Sequence, residues 1–163
     1  MKNKTFDRLL FFSLFFLAYW FFGNLYEEIV MVPNHLTNPL DVLTAYHRYF
    51  VLSNPTYYFV PLTQLAILVV FLLDFKANDE RQKRFLRKAT IFGALSLVVT
   101  AFIVTQINLK LFSSDINQYQ NALFDLSVFW LLGNGLRVIF VGGTLYFVGK
   151  TYLLRQSLKV HGY

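Results

Sequence analysis

Four stretches of the chain, roughly 9–31, 57–75, 90–112 and 123–149, are apolar almost without interruption. Each approaches or exceeds the ~20 residues that carry an α-helix across the hydrocarbon of a bilayer. The pattern predicts an all-α membrane protein with four transmembrane helices in one bundle. That bundle takes up residues 1–163 as a single domain and leaves no room for a second. The first stretch has the basic start of a signal peptide, but it runs on to Met31 with no small-residue cleavage site, so it reads as an uncleaved span. Residues 32–56 form the one long connection. Within it Asn38 is a good N-cap, Pro39 suits the first helical position and Asp41 the first turn. Leu40, Leu43, Tyr46 or His47, and Phe50 then recur at helical spacing until Ser53-Asn54-Pro55. We expect a short amphipathic helix there, lying on the outer membrane surface or capping the bundle.

Charge adds an orientation. The chain carries fifteen Lys and Arg against nine Asp and Glu, for a formal net charge of +6. Twelve of the fifteen lie before the first span (Lys2, Lys4, Arg8), between the second and third (Lys76, Arg81, Lys83, Arg84, Arg87, Lys88), or after the fourth (Lys150, Arg155, Lys159). An even number of spans puts these segments on one side. The positive-inside rule makes that side cytoplasmic, with both termini inside. This predicts a multi-pass protein of the cell inner membrane whose basic loop meets anionic headgroups rather than nucleic acid.

The chain has no cysteine, which excludes disulfides, thiolate metal sites and membrane oxidoreductases that work through a Cys pair. No histidine falls inside a span, which argues against a membrane haem. His35 and His47 sit in the connection without metal-ligand spacing, so we expect neither metal nor cofactor. No GxSxG, P-loop, HExxH or dinucleotide fingerprint is present. No span carries charges through its full depth, as a channel or pump would require.

The remaining chemistry lies in polar residues within the spans. Trp130, Asn134 and Arg137 are spaced i, i+4, i+7 and share a helical face. A guanidinium at membrane depth costs at least ~2.5–3.5 kcal/mol and normally meets a partner or a wet cavity. In the first span Trp20, Gly23, Asn24, Glu27 and Met31 fit one face, with Glu28 rotated ~100° from Glu27. Gln64 is the strongly polar residue of the second span's outer half. In the third, Ala94, Leu97, Ala101, Thr105 and Asn108 fall along one face of small and polar residues. Counting ~1.5 Å per residue, Glu27 stands ~27 Å above Leu9 and Arg137 ~18 Å above Gly149. The ~9 Å difference is long for a direct ion pair and short enough for a reaching arginine plus a water or ligand. Two readings follow. The polar set could be interhelical glue in a structural or assembly subunit, which would have a homo-oligomeric or membrane-protein partner. The leading reading is an outward-facing pocket, with Arg137 at its floor, Trp20 and Trp130 as walls, and Asn24, Gln64, Asn108 and Asn134 as further ligand-binding groups.

The pattern Trp130-x3-Asn134-x2-Arg137, the step Ile107-Asn108, and Gly23 with Tyr26-Glu27 followed by Pro33 resemble the small four-span proteins of the anthrone-oxygenase-like family. In that family a proline often precedes the third-span step, where this chain has Gln106. The resemblance implies a cofactor-free oxygenase acting on electron-rich polycyclic phenols. It implies Glu27 as the base that removes a phenolic proton, with Arg137 and Asn134 holding the anion.

Overall fold

The computed structural model describes residues 3–53, 55–113 and 115–160; Lys2, Asn54 and Ser114 lie outside them. Among the described residues the chain is helical, with no strand. Helix α1 (Asn3–Tyr26) runs on through a wide π-helical stretch, Glu27–Met31, and a last turn, Val32–His35. Helix α2 spans Pro39–Tyr49 and α3 Pro55–Lys76. Helix α4 (Glu80–Phe102) continues through a second π-helical stretch, Ile103–Asn108, and a short turn, Leu109–Leu111. A 3₁₀ segment, Ile116–Ala122, leads into α5 (Leu123–Val160). Four of these helical stretches are long and apolar enough to cross a membrane: Lys4–His35, Tyr57–Lys76, Glu80–Leu111 and Ile116–Lys159.

The helices overrun the apolar runs because their charged flanks are helical too. Asp79 caps α4 by accepting from the Gln82 backbone N–H at 2.8 Å, so the basic segment starts the helix instead of forming a loop. The four long helices form a ring in which α1 packs on α3 and α5, and α4 packs on the same two. Arg155 near the end of α5 bonds Asp7 of α1 at 2.6 Å and Gln82 of α4 at 2.9 Å. Arg87 of α4 pairs with Asp74 of α3 at 2.9 Å. The start of α1, the end of α5 and the α3–α4 connection therefore share one end of the bundle, here the terminal end.

Between the helices lies a core built from Leu10, Leu17, Ile67, Val70, Leu86 and Val141 with their neighbours. The buried Ser13 hydroxyl donates to the Ala66 carbonyl at 3.2 Å and ties α1 to α3. At the opposite end Leu43 of α2 is fully buried with Ile107, Leu111, Ile116 and Leu123, so α2 caps the bundle. Phe11, Phe22, Leu68, Phe129, Leu132 and Ile139 point outward and are more than half exposed. So large an apolar exterior is what a bilayer covers.

The third span packs one position away from the expected register. Its buried positions are Gly93, Ser96, Thr100, Ile103 and Ile107, whereas Ala94, Ala101 and Thr105 are exposed. The small residues at the true contact are Gly93 and Ser96. A Cβ on Gly93 would come within 3.0 Å of Ile67, so glycine sets the α3–α4 approach.

Candidate functional site

α5 is uninterrupted through its glycines, so Trp130, Asn134 and Arg137 do share one face, turned toward α1 and the end of α4. Arg137 is 5% exposed. Its Nη2 donates to Asn24 Oδ1 on α1 at 2.6 Å. Its Nε donates to Asn134 Oδ1 at 3.0 Å, and Nη2 makes a second, very short bond to the same oxygen. The guanidinium carbon lies 5.0 Å from the centre of the Trp20 ring and 6.0 Å from that of Trp130, inside cation–π range. Buried charge is tolerated here because two amide oxygens and two aromatic faces replace water.

The amides are themselves held. Asn24 Nδ2 donates to the Trp20 carbonyl at 2.9 Å, which turns its oxygen toward Arg137. Asn134 Nδ2 donates to Glu28 Oε2 at 2.7 Å. Trp130 Nε1 donates to Asn108 Oδ1 at 2.9 Å, linking α5 to the π-helical end of α4.

Glu28 enters the site through backbone geometry. In the wider π turn successive residues rotate by less than the ~100° of an α-helix. Glu27 and Glu28 consequently both reach the interior side, Glu27 lining the cavity and Glu28 holding Asn134. Gly135 makes room for this, since a Cβ there would stand 3.2 Å from Glu28 Oε1. Among the described residues Arg137 has no carboxylate at ion-pair distance. Glu27 is thus not a direct counter-ion, and Asn24, one turn nearer the terminal end, occupies the depth between the two.

Beside the guanidinium is a cavity of about 40 Å³. Trp20, Asn24, Glu27, Asn108, Trp130 and Arg137 all line it, and Asn134 supports it from behind. Gln64 does not belong to it. Gln64 is exposed, because α3 turns Thr63, Ala66, Ile67 and Val70 inward, and a ~100° rotation from Thr63 carries Gln64 out. α3 contributes Phe59 and Val60 instead, and Phe59 fits only because Gly23 has no Cβ, which would sit 2.9 Å from the ring.

Tyr46 of α2 and Phe112 close the remaining side, their ring centres 5.4 Å apart. Burial, with the Glu27 carboxylate adding to it, pushes the Tyr46 phenol up to about 12, so it stays a neutral hydrogen-bonding group. His35 and His47 pack against the same ring at 6.3 and 6.4 Å. The sequence pattern gives no sign of Phe59 or Phe112 as cavity residues. Tyr46 is marked there only by its helical spacing with Leu43 and Phe50, and Glu28 only as the neighbour rotated ~100° from Glu27.

The cavity offers a fixed positive donor from α5 and a carboxyl from the end of the first span, among aromatic side chains. Among the described residues Arg137 Nη1 donates to no protein acceptor, which leaves its two hydrogens for a third party. At ~10–15 Å³ for each water, the space holds about three waters or a comparably small polar group. No family model matches the chain, and no curated protein or solved structure matches it either.

Proposed function

We propose that the protein is an inner-membrane protein whose Arg137 cavity faces away from the cytoplasm. There it binds a small, partly apolar molecule through an acceptor oxygen. The observation that carries this reading is the state of Arg137. It is buried, oriented by Asn24 and Asn134, unpaired with any carboxylate among the described residues, and left with Nη1 donors beside the cavity. A guanidinium needed only as glue would spend those donors on protein oxygens. Glu27, which lines the same cavity, complements a ligand hydroxyl, accepting its proton or its hydrogen bond while Arg137 takes the oxygen.

The resemblance to anthrone-oxygenase-like proteins supplies an enzymatic version of this reading. Glu27 removes a phenolic proton, and Arg137, oriented by Asn134, holds the anion that reacts with molecular oxygen. A polycyclic phenol exceeds about 40 Å³, so this version requires Tyr46 and Phe112 to swing away, with only the hydroxyl end reaching the cavity.

Ligand-dependent thermal shift of the purified protein over a panel of phenols and small carboxylates tests the binding reading. A stabilising compound should lose its effect in Arg137→Leu while the variant still inserts; an undiminished shift in that variant overturns the pocket. Oxygen uptake with a phenol must disappear in Glu27→Gln for the enzymatic version to stand.

The chain of bonds Arg137–Asn24 and Arg137–Asn134–Glu28 favours a second reading, a non-catalytic assembly subunit in which the network fixes α1 against α5. It predicts that Arg137→Leu lowers thermal stability and that crosslinking in the membrane captures a stable partner or a second copy.

A further inference from the structure

We infer that the α1–α5 groove at the terminal end binds one anionic phospholipid, its acyl chain against the phenylalanines and its phosphate at Lys4 and Arg8. The groove is far from Arg137 and does not depend on the ligand reading of that site. It is a shallow, open groove lined by Phe11, Phe12, Phe15 and Phe16 of α1 with Tyr152 of α5. From Arg8 to Phe16 it covers ~12 Å along the helix axis. Phe11 and Phe15 are each 55% exposed along it. On the outside of a membrane bundle, an apolar groove of this length faces hydrocarbon, so an acyl chain is the occupant it suits.

The polar end of the groove selects the headgroup. Asp7, at its mouth, is fully engaged, with Arg155 Nε on Oδ1 at 2.6 Å and Lys159 Nζ on Oδ2 at 2.7 Å. Arg155 is pinned further by Gln82 at 2.9 Å and by the Phe6 ring at 4.4 Å. One carboxylate therefore answers two cations and is not left to offset Arg8. Arg8 also lies at the mouth, is exposed, and makes no ion pair among the described residues. Lys4, one helical turn before Arg8 on the same face and just beyond the groove, is likewise exposed and makes no ion pair among the described residues. Two unpaired cations in line with an acyl groove match a phosphate that carries net charge. A zwitterionic headgroup largely cancels that attraction.

The test uses the full-length protein, delipidated in a neutral detergent. It is titrated with phosphatidylglycerol or phosphatidylcholine of identical chains, and bound lipid is counted by native mass spectrometry. Phosphatidylglycerol should be retained in preference, at one molecule per chain. Replacing Lys4 and Arg8 together by Gln should weaken it about thirtyfold, and Arg8→Gln alone about fivefold. Arg8→Lys should keep the preference. Lys4 and Arg8 are exposed, so these variants leave the packed core intact. Equal retention of the two lipids overturns the proposal, as does unchanged phosphatidylglycerol affinity in the double variant. Equal competition by glycerol phosphate would show that the apolar groove takes no part. A groove filled by a second copy of the chain, seen as a lipid-independent dimer, would overturn it as well.

Discussion

Arg137 Nη2 of α5 donates to Asn24 Oδ1 of α1 at 2.6 Å, and that bond sets the depth of the whole site. The arginine is solvated by an amide one turn short of Glu27 and Glu28, so neither carboxylate has to descend to it. The bond is charge-assisted and buried. Asn24→Leu should therefore destabilise the protein by about 1.5–3 kcal/mol, read as earlier thermal unfolding in detergent. Asn24→Asp keeps the acceptor for Arg137 but sets its second oxygen against the Trp20 carbonyl, so it should recover only part of that loss. A melting curve unchanged in the leucine variant would mean that the bond contributes nothing.

Two glycines of α5 give a paired prediction. A Cβ on Gly143 would lie 2.5 Å from Phe92 Cδ1, while one on Gly149 would meet Leu14 Cδ1 at 3.8 Å. Gly143→Ala should cost about 1–3 kcal/mol, because Phe92 or the α4–α5 approach has to shift. Gly149→Ala should be neutral or slightly stabilising, since alanine favours the helix by about 1 kcal/mol over glycine. Equal melting temperatures for the two variants would contradict this picture of the interface.

Trp130 and Asn108 form a pair across α4 and α5 whose members should be coupled. Trp130→Phe removes the indole N–H and strands Asn108 Oδ1, at a cost of about 1–3 kcal/mol. Adding Asn108→Leu removes the stranded acceptor, so the double variant should recover part of that loss. Strictly additive effects in the double-mutant cycle would show that the two side chains do not depend on each other.

The face of α5 was legible in the sequence because Trp130, Asn134 and Arg137 are polar or amphipathic marks on an apolar helix at a helical period. The same logic found Trp20, Asn24 and Glu27. It failed for α3, whose apolar residues run all round the helix, and for the third span, whose polar residues lie on more than one face: Ser96 and Thr100 are buried, whereas Thr105 and Gln106 are exposed. A lone Gln64 then looks like an inward group although the bundle turns it out, and the α4 register slips by one position. Both π-helical stretches escaped notice because a widened turn has no residue signature of its own. Glu28 and the position of Asn108 at the end of its stretch follow from them. Gln64→Leu should consequently change neither stability, within about 0.5 kcal/mol, nor ligand response.

The side of the membrane proposed for the cavity is argued from the basic residues gathered at the terminal end, and the absence of cysteine makes it directly testable. Single cysteines can be placed at Leu52, which is 99% exposed beyond α2, and at Asn78, exposed in the α3–α4 connection. A membrane-impermeant maleimide added to spheroplasts should label Leu52→Cys at once and Asn78→Cys only after lysis. The expectation rests on charge alone, since Lys and Arg within ~15–20 residues of span ends set orientation. Moving labelling to Asn78→Cys would place α2, Tyr46 and the Arg137 cavity on the cytoplasmic face, where the ligand would be an intracellular one.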